Sequence, residues 1–206
     1  NMVDISWMQS GALTNWLVFH DPFCMGAFFV YFTVATASVK RAPFDLAEAE
    51  SELVAGYSTE YSGMRYLFFF FAEWANVFVM SGIAAALFLG GWQVPGLTAA
   101  QQEASLGLQL LGALVFQLKS WFLIFVVIWV RWTLPRVRID QLMNMCWKYF
   151  VPLSFAAFLA GCVWVVVPIP PWLSNAIRYA IFGIGCLGAA FMLYRIVWNL
   201  RVTKLG

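Results

Sequence analysis

Half of the ten carboxylates in this 206-residue chain, Asp45, Glu48, Glu50, Glu52 and Glu60, fall in one polar stretch between Lys40 and Gly63. In its first part, Arg41-Ala-Pro-Phe-Asp-Leu-Ala-Glu-Ala-Glu-Ser-Glu-Leu, Pro43 sets a turn. Asp45 suits an N-cap, and Glu48 follows three residues later as in a capping box, so a short helix is predicted to start there. On that helix Asp45, Glu48 and Glu52 share roughly a 60° arc at about 100° per residue, while Glu50 points elsewhere. Carboxylates that close, if partly desolvated, raise one another's affinity for protons, which suits groups that must bind and release protons near neutral pH. Ordinary helix solubilisation and dipole matching would also explain the pattern. The proton reading gains weight because ionisable residues continue from this loop into apolar sequence.

Glu60 and Arg65 flank Gly63, where an irregular helix start is predicted. Glu73 then lies about 13 Å further along the axis. A glutamate at that depth is costly unless neutralised or paired, so a proton or ion pathway is the default reading. Lys119, inside another apolar run, sits too deep to snorkel and is expected to find an acidic partner or water, as a pathway residue or in a structural ion pair. Arg131 and Arg136 are placed to counterbalance the acidic loop, to approach a ligand headgroup, or simply to fix topology.

The elements that must hold these groups are membrane spans. At 63% hydrophobic and 11% charged residues, the chain cannot hide its apolar side chains in one water-soluble core. Uncharged runs from Pro22 to Val39, Trp74 to Gln102 and Tyr149 to Ile177 are each near or beyond the roughly 18 to 20 residues a bilayer requires. Two further spans are expected, about Leu106 to Val130 around Lys119 and about Ala176 to Trp198 with Arg178 and Arg195. The expected fold is therefore all-α, a single membrane domain over 1–206 with about five transmembrane helices, an acidic inner loop at 40–63 carrying the short helix, and a second inner loop at 131–148. Lys40, Arg41, Arg65, Arg131, Arg136, Arg138, Lys148, Arg195, Arg201 and Lys204 then fall on one side, which the positive-inside rule makes the cytoplasm or mitochondrial matrix, with the C-terminus inside.

Residues 1–21 are expected to form an interfacial segment outside the spans. Asn1 is followed by no basic-then-apolar leader, so a fragment is expected. The four cysteines are spaced for neither disulfides nor a cluster, and the single histidine, His20, is assigned no metal or haem. Gly183, Gly185 and Gly188 spell a dinucleotide fingerprint, but inside a span they read as close helix packing.

The segment from Arg41 to Met64, reading on through Val-Ala-Gly-Tyr-Ser-Thr-Glu-Tyr-Ser-Gly-Met, resembles the signature of the complex I subunit 1 family, the membrane subunit at the quinone site of NADH:quinone oxidoreductase. Trp129-Val-Arg-Trp-Thr-Leu-Pro-Arg-Val-Arg-Ile-Asp-Gln-Leu-Met and Trp147-Lys148 resemble the family's later inner loop. The resemblance covers the C-terminal part of the family pattern, whose N-terminal helices and glycine-rich inner loop lie outside this sequence. It implies a non-redox subunit of a proton-pumping translocase in a bacterial cytoplasmic or mitochondrial inner membrane. Arg41, Phe44, Asp45, Glu48, Glu50, Glu52, Arg131 and Arg136 would line the quinone chamber. Glu48, Glu52, Glu60, Glu73 and, more weakly, Lys119 would carry protons. Quinone would be the substrate, with no metal, flavin or haem in this chain. Iron-sulfur subunits would dock on the inner loops, small membrane-arm subunits and lipid beside the helices, and nucleic acid nowhere. The rival expectations are the equivalent subunit of a membrane-bound hydrogenase or other ferredoxin-linked complex, an independent ion-coupled transporter, and a purely structural anchor.

Overall fold

The computed structural model describes residues 1–45, 56, 60–167 and 170–203. Among these, every regular element is a helix. Three short helical pieces come first, α1 (Met2–Met8), a 3-10 turn at Leu13–Asn15, and α2 (Leu17–His20), followed by α3 (Pro22–Ser38) and α4 (Met64–Phe88). A short α5 (Ala99–Glu103) precedes α6 (Leu106–Thr133), α7 (Ile139–Val166) and α8 (Pro171–Thr203). Helices α4, α6 and α7 are each long and apolar enough to cross a membrane, and α3 is a shorter apolar helix. Three helices that can span, the shorter apolar α3 and the 33-residue α8 fit the all-α expectation, and the chain is a multi-pass membrane protein.

Local chemistry explains the boundaries. Pro22 opens α3, where its missing N–H is no loss. Gly63, with φ +59°, gives α4 the irregular start predicted between Glu60 and Arg65. Gly90, at φ +76°, follows its end, and the Gly91 amide turns back to the Ala85 carbonyl at 2.9 Å. Helix α7 begins at Ile139, ten residues before the expected Tyr149, so much of the predicted inner loop at 131–148 is helical. It absorbs Asp140 and Lys148 in a first stretch that widens into a π turn at Cys146–Phe150. That turn directly precedes Pro152, whose ring clashes with the carbonyl four residues back and which supplies no N–H to a regular ladder.

The core lies where α3, α4 and α6 meet. Val77, Met80 and Val127 are buried against Phe32, Ala35 and Ile124, and Ala84, Ala85 and Leu123 against Phe28, Tyr31 and Phe116. Small residues on α4 let α6 approach closely, as expected where lipid removes the hydrophobic drive between helices. The Tyr31 hydroxyl donates to the Met80 carbonyl at 3.3 Å and ties α3 to α4. Helix α7 packs on α3 and keeps most of its surface exposed. Among the three glycines of α8, a Cβ on Gly185 would meet the Phe19 ring at 3.0 Å, whereas Gly183 and Gly188 face no atom within 4 Å. Close packing thus holds for one of the three.

Residues 1–21 are folded onto the spans. Gln9 donates to the Leu87 carbonyl at 2.9 Å, and its side-chain oxygen accepts from the Leu17 and Gly90 amides. One side chain thereby satisfies the end of α4 and orders the segment leading to α3.

Ala85→Leu should lower the melting temperature of the detergent-solubilised protein, because overpacking a filled site costs about 1–3 kcal/mol. Leu114→Ala, on an exposed face of α6, should change it far less.

Candidate functional site

Two clusters of charged and polar groups form, one beside the first half of α4 and one beyond its end. The first begins where α3 stops. Lys40 adopts φ +53° and turns the chain, after which the Arg41 amide donates to the Thr36 carbonyl at 3.3 Å. This fold-back carries Arg41 inward until only 3% of it is exposed. Its Nη2 lies 3.4 Å from Glu73 Oε2, and its guanidinium carbon stands 4.7 Å from the Trp74 ring centroid. The planar guanidinium thus meets a carboxylate with one edge and an aromatic surface with its face, which an ammonium could not do equally well.

The Phe44 amide donates to the Arg41 carbonyl at 2.9 Å, a tight turn that buries Phe44 and Asp45. The second inner loop closes over this turn: the Val137 amide donates to the Pro43 carbonyl at 3.0 Å, and Arg136 Nη2 lies 3.8 Å from Asp45 Oδ2. Two cations therefore face two carboxylates across two loops and one span. Pairing offsets the desolvation that an isolated glutamate or arginine would suffer here. Three buried atoms, Arg41 Nε, Trp74 Nε1 and Asp45 Oδ1, have no hydrogen-bond partner among the described residues. Two donors and one acceptor thus remain beside the ion pairs, a set able to hold a small group that both accepts and donates hydrogen bonds.

Of the residues expected at the site, Arg41, Phe44, Asp45, Glu73 and Arg136 come together. Arg131 is half-buried in the last turn of α6 and forms no ion pair among the described residues. Glu60 is exposed ahead of α4. Glu48, Glu50 and Glu52, with the short helix predicted to carry them, lie outside the described residues.

The second cluster surrounds Lys119. In place of the expected carboxylate or water, its Nζ donates to the Gly91 and Gln93 carbonyls at 3.0 and 3.1 Å and sits 4.4 Å from the Trp16 ring centroid. The turn after α4 reaches back along α6, so Lys119 meets carbonyls freed by a broken helix. Gln102 finishes the arrangement, donating to the Trp92 carbonyl at 2.9 Å and accepting from the Val94 amide at 3.2 Å. Irregular backbone beside a span is tolerated when its polar groups are satisfied in this way.

Sequence reading passes over Trp74, Trp16, Gln9 and Gln102. Trp74 stands directly after the glutamate singled out in the span, and glutamines are costly in apolar runs without partners, so both carry a signal. Trp16 carries none, because its contact with Lys119 spans 103 positions. The larger of two described clefts, about 990 Å³ between α3 and α7, is lined mainly by apolar residues such as Val30, Val34 and Phe158 and includes none of the expected site residues.

Helices long enough to cross a membrane, with paired charges where two loops meet α4, define a multi-pass membrane protein. Residues 1–162 match the family described as NADH dehydrogenase, and the chain belongs to that family. It is 48% identical over 164 residues to the H-type subunit of NADH-quinone oxidoreductase from Anaeromyxobacter dehalogenans, covering 74% of this chain and 40% of that protein. The same subunits of Chlorobaculum parvum and Bacteroides thetaiotaomicron are 43% and 41% identical, over 81% and 78% of this chain and 47% and 46% of theirs. The chain thus spans less than half the length of these relatives.

Arg41→Gln should destabilise the protein by about 2 kcal/mol or more, because it removes the buried guanidinium that pairs with Glu73 and covers Trp74. Arg41→Lys should recover only part of this, and thermal denaturation of the purified protein reads both. Lys119→Met should cost a similar amount by leaving two carbonyls without a donor, and should speed alkylation of a cysteine placed at exposed Pro95.

Proposed function

We propose that the Arg41–Asp45 turn, Glu73, Trp74 and Arg136 form the membrane-side part of a quinone chamber in a proton-pumping NADH:quinone oxidoreductase. The carrying observation is the buried Arg41 guanidinium, paired with half-buried Glu73 and facing the Trp74 ring beside three unpartnered polar atoms. A quinone carbonyl accepts hydrogen bonds, and the hydroquinone hydroxyl formed on reduction also donates. Arg41 Nε and Trp74 Nε1 suit the first state, and Asp45 Oδ1 suits the second. Phe44 supplies apolar surface beside them.

In this reading the chain carries no redox centre. Electrons reach the quinone from an iron-sulfur subunit docked on the inner loops, and protons move by way of Glu48, Glu52, Glu60 and Glu73. A change of charge at the headgroup alters the pairing of Arg41 with Glu73, and so couples quinone chemistry to a carboxylate inside the span. Lys119 is better read as a fixed cation, because two carbonyls and an indole face occupy its donors. Small membrane-arm subunits would lie beside the helices of a bacterial cytoplasmic or mitochondrial inner membrane, with the inner loops and C-terminus on the cytoplasmic or matrix side.

In the assembled complex, Glu73→Gln should reduce quinone reduction and proton pumping together, on the order of tenfold or more. Electron transfer from NADH to a water-soluble acceptor that bypasses quinone should continue. Normal quinone reduction with normal pumping in this variant would remove the proposal's basis.

A further inference from the structure

Residues beyond 162, all of α8 included, lie outside the family match, and one cation there lacks a counter-charge among the described residues. Arg178 is half-buried and enters no ion pair among them, whereas Arg41 and Arg136 each face a carboxylate. Its Nη1 donates to Asn15 Oδ1 at 3.3 Å. Its Nε is buried without a partner, and its Nη2 has none among the described residues either. Nε and Nη2 form the guanidinium edge that grips a phosphate or carboxylate with two parallel N–H groups. Asn15 therefore fixes the guanidinium by its other side and leaves that edge free.

The position of Arg178 indicates what that edge meets. The uncharged run from Tyr179 to Tyr194 rises about 24 Å, most of the roughly 30 Å hydrocarbon thickness of a bilayer. Arg178 thus stands near the level of the headgroups, with polar Ser174 and Asn175 one turn before it. Past it the Phe19 and Phe182 rings meet edge to face at 5.2 Å, and Gly185 lets Phe19 lie close to α8. A dissolved anion would have to leave water to reach a cation beside aromatic rings, whereas a lipid phosphate is at that depth already. The acceptors that an ammonium would seek are engaged: Asn15 Oδ1 is spent on Arg178, and Asp21 faces His20 Nδ1 at 3.0 Å and the Cys24 thiol at 4.0 Å.

We propose that the notch between α8 and residues 13–19 binds an anionic phospholipid of the phosphatidylglycerol class, its phosphate on the Nε–Nη2 edge of Arg178 and its chains running on past Tyr179 beside the Phe19–Phe182 pair. Headgroup, phosphate and chains then follow the order Asn175, Arg178, Phe182 along α8. A zwitterionic lipid carries no net charge to offset Arg178, so phosphatidylcholine should bind more weakly.

The test uses the protein in its native membrane assembly, exchanged into vesicles holding equal amounts of phosphatidylglycerol and phosphatidylcholine with the same chains, then stripped with mild detergent. Retained lipid is counted by native mass spectrometry. Phosphatidylglycerol should be retained preferentially, and Arg178→Gln should reduce that preference by about tenfold, the scale of a charge-assisted hydrogen bond. Arg178→Lys, which keeps the charge and loses the planar edge, should fall part of the way and serves where the glutamine variant does not assemble. Lys148→Gln removes an exposed cation elsewhere and should change the preference by less than about twofold. Inorganic phosphate, which lacks the chains, should compete poorly. Equal retention of both lipids, a preference unchanged in either Arg178 variant, an equal fall in Lys148→Gln, or full displacement by inorganic phosphate would overturn the proposal.

Discussion

Hydrocarbon offers no hydrogen bonds, so every charge and every broken turn of backbone in this chain has to find its partner within protein or at the membrane surface. That constraint accounts for both clusters. Arg41 and Glu73 come from segments 32 positions apart, and Lys119 meets carbonyls 26 and 28 positions away. Neither charge would be stable in its own helix alone. Each becomes acceptable once a neighbouring loop folds back against the span, so the loops are part of the membrane core.

The two clusters solve the problem differently, and the difference bears on function. Lys119 is held by neutral carbonyls and an indole, partners that do not change state as protons move. Arg41 is held by a carboxylate, and Asp45 by an arginine from another loop. Those contacts change energy whenever a nearby group gains or loses charge. The Arg41 cluster is therefore responsive where the Lys119 cluster is fixed. One end of α4 thus carries contacts whose energy shifts with nearby charge, and the turn beyond its other end carries contacts whose energy does not.

Much of this was legible in the sequence. The all-helical, membrane-spanning character followed from apolar run lengths, because a bilayer sets that length directly. The pairing of Glu73 followed from its depth, and the irregular start of α4 from Gly63. Partners were not legible when they were backbone atoms: nothing in the residue types announces that the Gly91 and Gln93 carbonyls reach Lys119. The early start of α7 was hidden for another reason. Asp140 and Lys148 read as loop charges in a hydropathy scan, yet they sit in a stretch that precedes the apolar segment. The folded segment at residues 1–21 escaped notice because Gln9, which anchors it, bonds to groups about 80 positions away.

The cage around Lys119 also constrains how the protein is made. Its parts leave the ribosome in a fixed order: Trp16 first, then the Gly91–Gln93 turn, and α6 with its lysine last. Entering lipid by itself, that helix would carry an unneutralised ammonium near its midpoint, at about 2.5–3.5 kcal/mol on insertion scales. Entering beside α4, it finds its acceptors already waiting. Beside α4 that cost is met by the Gly91 and Gln93 carbonyls, and Lys119 fastens the two helices together.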